Sequence, residues 1–179
     1  KLVMEEKYSE IIGRLDNKTT CILGHTRRKT RGTEANSLNN QPIRAGSVIG
    51  THNGTILNAD RLFKRYRLRR AAETDSEFIF RLADKKKTIE DFTICARDVR
   101  GGMSAVFTRT SAPDTVLVLK GNKPLNLWYH KGFRAVFYSS EEWPLERVIG
   151  GSRDVIPLDV APFTLSVFNI ADLMDFRQY

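Results

Sequence analysis

The sequence predicts an α+β fold in which short strands gather into sheets and helices cover their outer faces. Three observations carry this. Apolar runs of three to six residues, several of them separated by turn residues, crowd the second half of the chain. In three places Ser or Thr is followed three residues later by an acid, the pattern of a helix start. And 41% of the 179 residues are apolar against 28% charged, the balance of a folded chain with a sizeable core rather than a disordered one. No repeat, low-complexity stretch or linker divides the chain, so a single domain over residues 1–179 is expected.

Taken in order, strand-like runs occupy residues 19–23 and 47–51, with a long stretch of Gly, Asn, Arg, Thr and Ser between them. A connection of that length is uncommon in a compact domain and marks a functional loop. A short basic helix is expected over residues 59–67. Helix starts follow at Thr74-Asp75-Ser76-Glu77, Thr88-Ile89-Glu90-Asp91 and Ser139-Ser140-Glu141-Glu142. After Thr88, the residues Ile89, Phe92, Thr93 and Ala96 share one helical face. Strands are expected at 103–108, 115–120, 127–129, 135–139, 155–158 and 164–169. Turn signals stand at Ser111-Ala112-Pro113-Asp114, Gly121-Asn122-Lys123-Pro124 and Gly150-Gly151-Ser152.

Charge and cysteine usage narrow the function classes. Lys and Arg number 29 against 21 Asp and Glu, a net charge of +8 that favours anionic partners. Two cysteines, Cys21 and Cys95, are too few for a disulfide scaffold or a Cys-only zinc site, and reduced thiols in a cytoplasmic protein are expected. No metal site and no cofactor is expected. No apolar run approaches the ~20 residues that span a bilayer, so no membrane partner is expected. The first ten residues, KLVMEEKYSE, lack the apolar centre of a signal peptide and do not begin with Met, so the original start is expected to have been removed or left out.

Three clusters could carry chemistry: His25-Thr26-Arg27 with Thr30 and Gly32, His52-Asn53-Gly54, and Thr74-Asp75-Ser76-Glu77. Each has a plain structural reading. Asn53-Gly54 between two apolar runs reads as a hairpin turn. Thr74 to Glu77 reads as a helix cap, His25 as a hydrogen-bonded core residue, and the Arg-rich stretch as a solvated loop or phosphate contact. Together, and in this order, they carry something more specific. The segments HTRRKTRG (25–32), NNQP (39–42), HNG (52–54) and TDSE (74–77) resemble the patterns H-T-R-x-A-T-x-G, N-x-H-P, H-N-G and T-D-[ST]-E. These belong to the glutaminase domain of class II glutamine amidotransferases, in the N-terminal-nucleophile hydrolase superfamily. Glucosamine-6-phosphate synthase and amidophosphoribosyltransferase are similar in pattern. Weaker echoes stand at Arg100-Gly101-Gly102, at 121–125 and at Ser139-Ser140-Glu141, so the resemblance runs from about residue 23 to residue 142.

The resemblance implies a four-layer αββα sandwich, two mainly antiparallel sheets between helical layers. It also implies a reaction: hydrolysis of the side-chain amide of L-glutamine through a thioester, with ammonia passed to an accepting synthase domain or subunit. In that family the Asn and Gly of H-N-G form the oxyanion hole, which makes Asn53 and Gly54 the catalytic candidates. The Asn amide and a main-chain N–H converge on one oxygen without adding charge. Arg27 matches the residue that binds the substrate carboxylate, and Asp75 the one that binds its ammonium, pairings that suit guanidinium and carboxylate chemistry. Thr30 and Arg31 match further ligands in a loop that closes over glutamine.

Departures from the pattern set limits on that reading. The family's nucleophile is a Cys at the mature N-terminus with its own α-amine as base, an amine whose pKa near ~8 suits the role. Here the chain starts with Lys1, only 24 residues precede His25, and neither Cys21 nor Cys95 fits, so both are expected to be structural thiols. Either the nucleophile and its strand lie upstream of Lys1, or the domain is catalytically silent and serves binding or regulation. The loop is also unusually cationic, with Arg28, Lys29 and Arg31 at positions where the family has other residues. A third reading rests on Arg61, Lys64, Arg65, Arg67, Arg69 and Arg70, which suit nucleic acid. Only Phe63 and Tyr66 lie among them for base stacking, so a solvated or partner-docking face is preferred and nucleic acid is not the expected partner.

Overall fold

The computed structural model describes residues 6–26, 32–33 and 35–174. A short helix, α1 (Glu6–Gly13), is followed by residues 14–42, whose described part holds a 3-10 turn at Ser37–Asn39. Then come β1 (Ile43–Ala45) and β2 (Val48–Ile56), three helices, α2 (Ala59–Arg65), α3 (Glu77–Lys85) and α4 (Ile89–Ala96), and the strands β3 (Gly101–Arg109), β4 (Ala112–Lys120), β5 (Asn126–His130) and β6 (Ala135–Ser139). α5 (Trp143–Ile149), β7 (Val155–Leu158), β8 (Thr164–Asn169) and α6 (Ile170–Met174) close the described chain. All strand pairing is antiparallel. One sheet runs β1-β2-β3-β4-β8 and the other β6-β5-β7.

Side-chain alternation along the strands builds the layers. On β3 and β4, Ala105, Phe107, Leu117 and Leu119 face α2, α3 and α4. There they join Leu62, Phe78, Phe80 and Phe92 in the largest core. Their neighbours Val106 and Val118 face the other way and meet Leu125 and Leu127 between the sheets. On β5, Leu127 points into that gap while Trp128 points out, against Leu145 and Ile149 of α5. The order is therefore helices, five-stranded sheet, three-stranded sheet, helix: the four-layer αββα sandwich.

Several expectations are corrected. Residues 19–26 form no strand, although burial alternates from Cys21 to Thr26; Leu23 packs at the inter-sheet core without a ladder partner. The signal at 111–114 falls partly inside β4, whose start is bulged: the register jumps between Thr108↔Val116 and Arg109↔Ala112. Of the three helix starts, only Thr88 caps, its Oγ1 accepting from Asp91 N at 3.1 Å. Ser139 Oγ instead accepts from Glu141 N, and α5 begins later, at Trp143. The buried stripe of α4 is Phe92, Cys95 and Ala96, with Ile89 left exposed.

Candidate active site

The Asn53-Gly54 pair lies inside β2 and not in a hairpin turn. The β2–β3 register pairs Asn53 with Ser104 and Gly54 with Met103, and Leu57 N continues it by donating to Arg100 O at 2.9 Å. In an antiparallel ladder hydrogen-bonded and non-bonded pairs alternate. Residues 53, 55 and 57 therefore bond to β3, while the N–H and C=O groups of His52, Gly54 and Ile56 face the opposite edge. β1 covers that edge only as far as Gly50.

Beyond Gly50, side chains take the place of a strand. Gln41 Oε1 accepts from His52 N at 2.5 Å, and Gln41 Nε2 donates to His52 O at 3.0 Å. Asp75 Oδ2 accepts from Ile56 N at 2.5 Å. Between these two clamps the Gly54 N–H points to the same edge, and no acceptor for it stands among the described residues. Gly54 has a φ of +140°, and a Cβ there would lie 2.0 Å from the Gly102 carbonyl oxygen, so only glycine fits.

Asn53 projects from the other side of β2, toward the second sheet, as Thr51 does with its Oγ1 3.3 Å from Tyr138 Oη of β6. Asn53 Nδ2 donates to Pro124 O at 3.4 Å, which engages one of its two hydrogens. The 121–125 loop that supplies this carbonyl is pinned to β3. Asn122 Oδ1 accepts from Met103 N at 3.0 Å, its Nδ2 donates to Gly101 O at 3.2 Å, and Ser104 Oγ donates to Lys123 O at 2.7 Å. Two of the sequence echoes, 100–102 and 121–125, thus meet beside Asn53. The third stands at the end of β6.

The TDSE segment does not cap α3; no side chain bonds its first turn from the Ser76 cap position. Asp75 is buried on the β2 edge, with Thr74 Oγ1 3.5 Å from its second oxygen. Ser76 Oγ lies 2.8 Å from His52 Nδ1. The buried Glu77 carboxylate accepts from Ala71 N and Ala72 N and from Arg81 Nε at 2.8 Å. Burial pushes the His52 pKa down to about 4, with the Asp75 carboxylate and the Gly102 backbone opposing the shift and His25 adding to it. His52 is therefore neutral at pH 7.

Asn39 and Gln41 had no assigned role in the sequence, although both lie in the NNQP segment. Buried Asn39 donates from Nδ2 to Thr33 O and Glu73 Oε2, both at 2.9 Å, and accepts from Glu73 N at 2.8 Å. It joins the end of the cationic loop to the residue before Thr74. Gln41 Nε2 also lies 3.4 Å from His25 Nε2, at the start of that loop. Arg27, Thr30 and Arg31 lie outside the described residues. Of the predicted site residues that are described, Asn53, Gly54 and Asp75 come together around β2. Cys95 is buried in the helix-facing core, and burial raises the pKa of the half-buried Cys21 thiol, so neither has the surroundings of an activated thiolate. Among the described residues no three His, Cys, Asp or Glu side chains are arranged to hold a metal ion, and no helix is long and apolar enough to cross a membrane.

Residues 25–146 match the family model of a glutamine amidotransferase domain. 7-Cyano-7-deazaguanine synthase of Sulfolobus acidocaldarius is 24% identical over 140 residues, which cover 77% of this chain and 29% of that protein. Glutamine–fructose-6-phosphate aminotransferase (isomerizing) of Bacillus licheniformis is 26% identical over 162 residues, 88% of this chain and 24% of that one. Among solved structures, glutamine phosphoribosylpyrophosphate amidotransferase from B. subtilis shares the fold, with a TM-score of 0.61 at 17% identity over 81% of this chain and 32% of that one. The chain thus spans about a third or less of the length of these relatives. The family match covers well over half of the chain, and the chain belongs to the glutamine amidotransferase domain family.

Proposed function

We propose that this glutamine amidotransferase domain hydrolyses the side-chain amide of L-glutamine to glutamate and ammonia, with Asn53 and Gly54 as the oxyanion hole. A thiolate attacks the amide carbon, the C=O electron pair moves onto oxygen, and the collapse of the tetrahedral intermediate expels ammonia once its nitrogen is protonated. Water then opens the thioester to glutamate and regenerates the thiol. The Asn53 Nδ2–H and the Gly54 N–H are the donors for the negative oxygen, fixed before the reaction by the sheet and the 121–125 loop. The Gly54 N–H, without an acceptor among the described residues, held between Gln41 and Asp75 and next in sequence to the Asn53 amide, is the observation that carries this reading.

Asp75 is assigned the substrate ammonium and Arg27 its carboxylate, with Thr30 and Arg31 as further ligands. Asp75 keeps one carboxylate oxygen without a backbone donor among the described residues, which supports its share of that assignment. The thiolate is assigned to an N-terminal cysteine upstream of Lys1 and not to Cys21 or Cys95. The ammonia acceptor is assigned to a synthase domain or subunit, in keeping with a match that covers 29% of a synthase and 24% of a glutamine-dependent aminotransferase. The test is glutamate release from glutamine by the full-length protein, with mass-spectrometric mapping of the adduct left by a glutamine-like diazoketone. Glutamate release with the adduct on an upstream cysteine supports the reading. An adduct on Cys21 or Cys95 overturns the nucleophile assignment, and glutamine binding without hydrolysis points to the silent alternative.

A further inference from the structure

We propose that Gln41 is a positioning residue for the oxyanion hole, its carboxamide standing in for the strand that β2 lacks beyond Gly50. The proposal rests on the glutaminase reading above. Three observations converge on it. The Gln41 side chain takes both main-chain groups of His52, N–H at 2.5 Å and C=O at 3.0 Å, as a neighbouring strand would. The carbonyl it holds belongs to the peptide that begins Asn53, and the next N–H on the same edge is that of Gly54. And its remaining amide hydrogen faces His25 Nε2 at 3.4 Å, so one side chain links the start of the cationic loop to the backbone of both donors.

The chemistry demands a carboxamide. It offers an acceptor and two donors in one plane, enough for His52 N–H, His52 C=O and His25 together. A carboxylate accepts at all of these places and repels the His52 carbonyl. Asp75 holds the far side at Ile56 N–H, so the Gly54 N–H is aimed by two side-chain clamps, one two residues before it and one two residues after.

The experiment uses the full-length protein and the near-isosteric Gln41→Glu, with Gln41→Ala beside it. Glutamine hydrolysis is read as kcat and KM separately, in wild-type and Asn53→Ala backgrounds. A small misplacement of a transition-state donor lowers kcat by about ten- to a hundredfold, and KM is expected to stay within about threefold. In the Asn53→Ala background the same change should cost less than about threefold, because the two residues act through one oxyanion hole. Amide hydrogen exchange over β2 gives a readout independent of turnover: Gln41→Ala should speed exchange at His52 and leave that of Thr51, which bonds to β3, unchanged. Wild-type activity with the Gln41→Glu kcat within twofold overturns the positioning role and leaves the glutaminase reading standing. Equal losses in both backgrounds, or unchanged exchange at His52 in Gln41→Ala, also overturn it. A wild-type protein that releases no glutamate overturns the glutaminase reading and this inference with it.

Discussion

At the scale of single residues, the proposed reaction gives Asn53 and Asp75 separable duties. In that reaction Asn53 is to meet the substrate oxygen when it becomes negative, so Asn53→Ala should lower kcat by roughly 100–1000-fold with little change in KM. Asp75 is proposed to meet the ground-state ammonium, and it holds Ile56 N–H. Asp75→Asn keeps an acceptor for that N–H and removes the charge, so it should weaken glutamine binding by an order of magnitude or more, at an unchanged fold. Steady-state kinetics on the two variants check the split, and a loss of both parameters in Asn53→Ala would make Asn53 a structural residue. His52 supplies a pH signature. Its folded pKa of about 4 lies below the ordinary 6.5, so between those values the unfolded chain takes up a proton that the folded one refuses. The stabilisation is complete above pH 6.5 and is lost as pH falls toward 4, at up to about 1.4 kcal/mol per unit. Urea unfolding across that window should show a slope that His52→Asn flattens; equal slopes would show that His52 ionises freely.

At the scale of elements, the sheet–helix interface around Phe107 fixes where β2 sits. Phe107 is fully buried, with the rings of Phe92 and Phe80 at 5.6 and 6.1 Å in edge-on geometry. Phe107→Ala should cost about 3–5 kcal/mol. Val148→Ala, at a position 74% exposed on α5, should stay within about 0.5 kcal/mol. Thermal melts of the pair check this, and similar losses would mean that α5 carries more of the fold than its burial suggests. The six strands of the second half were legible because each stands in the sequence as a short apolar run, and in β3, β4 and β5 consecutive residues are buried because both faces are covered. The misreadings share one physical cause: local signals that tertiary partners overrode. Asn53-Gly54 carries the composition of a hairpin turn, but Gly54 is glycine because the Gly102 carbonyl leaves no room for a Cβ. Thr74 to Glu77 has the spacing of a capping box, but its side chains turn to β2, to His52 and to the 71–72 backbone. The alternation in residues 19–26 is real, yet no strand pairs with it. Gln41 and Asn39 could not be assigned from sequence because their partners, His52 and Glu73, lie 11 and 34 residues away.

At the scale of the whole molecule, the charge of +8 is spread unevenly. Arg61, Lys64, Arg65, Arg67 and Arg69 are exposed along α2 and its exit, while Arg70 stacks on Phe63 at 4.3 Å and pairs with Asp60 at 2.6 Å. An Arg61→Ser, Arg67→Ser, Arg69→Ser variant should leave glutamine hydrolysis intact. Anisotropy titrations of the wild type with single- and double-stranded nucleic acid should show no tight binding at physiological salt. Strong binding, with a log-affinity slope against log salt that the triple change lowers by about two to three units, would make nucleic acid the partner of this face.

The central claim, that β2 presents a ready oxyanion hole for glutamine, is tested most directly by a crystal structure of the full-length protein carrying the covalent adduct of a glutamine-like diazoketone. The account predicts the adduct's carbonyl oxygen within hydrogen-bond distance of both Asn53 Nδ2 and Gly54 N, with its ammonium on Asp75 and Gln41 still bound to the His52 backbone. An adduct whose oxygen is held by other groups, with Asn53 still donating to Pro124 and the Gly54 N–H unengaged, would contradict it.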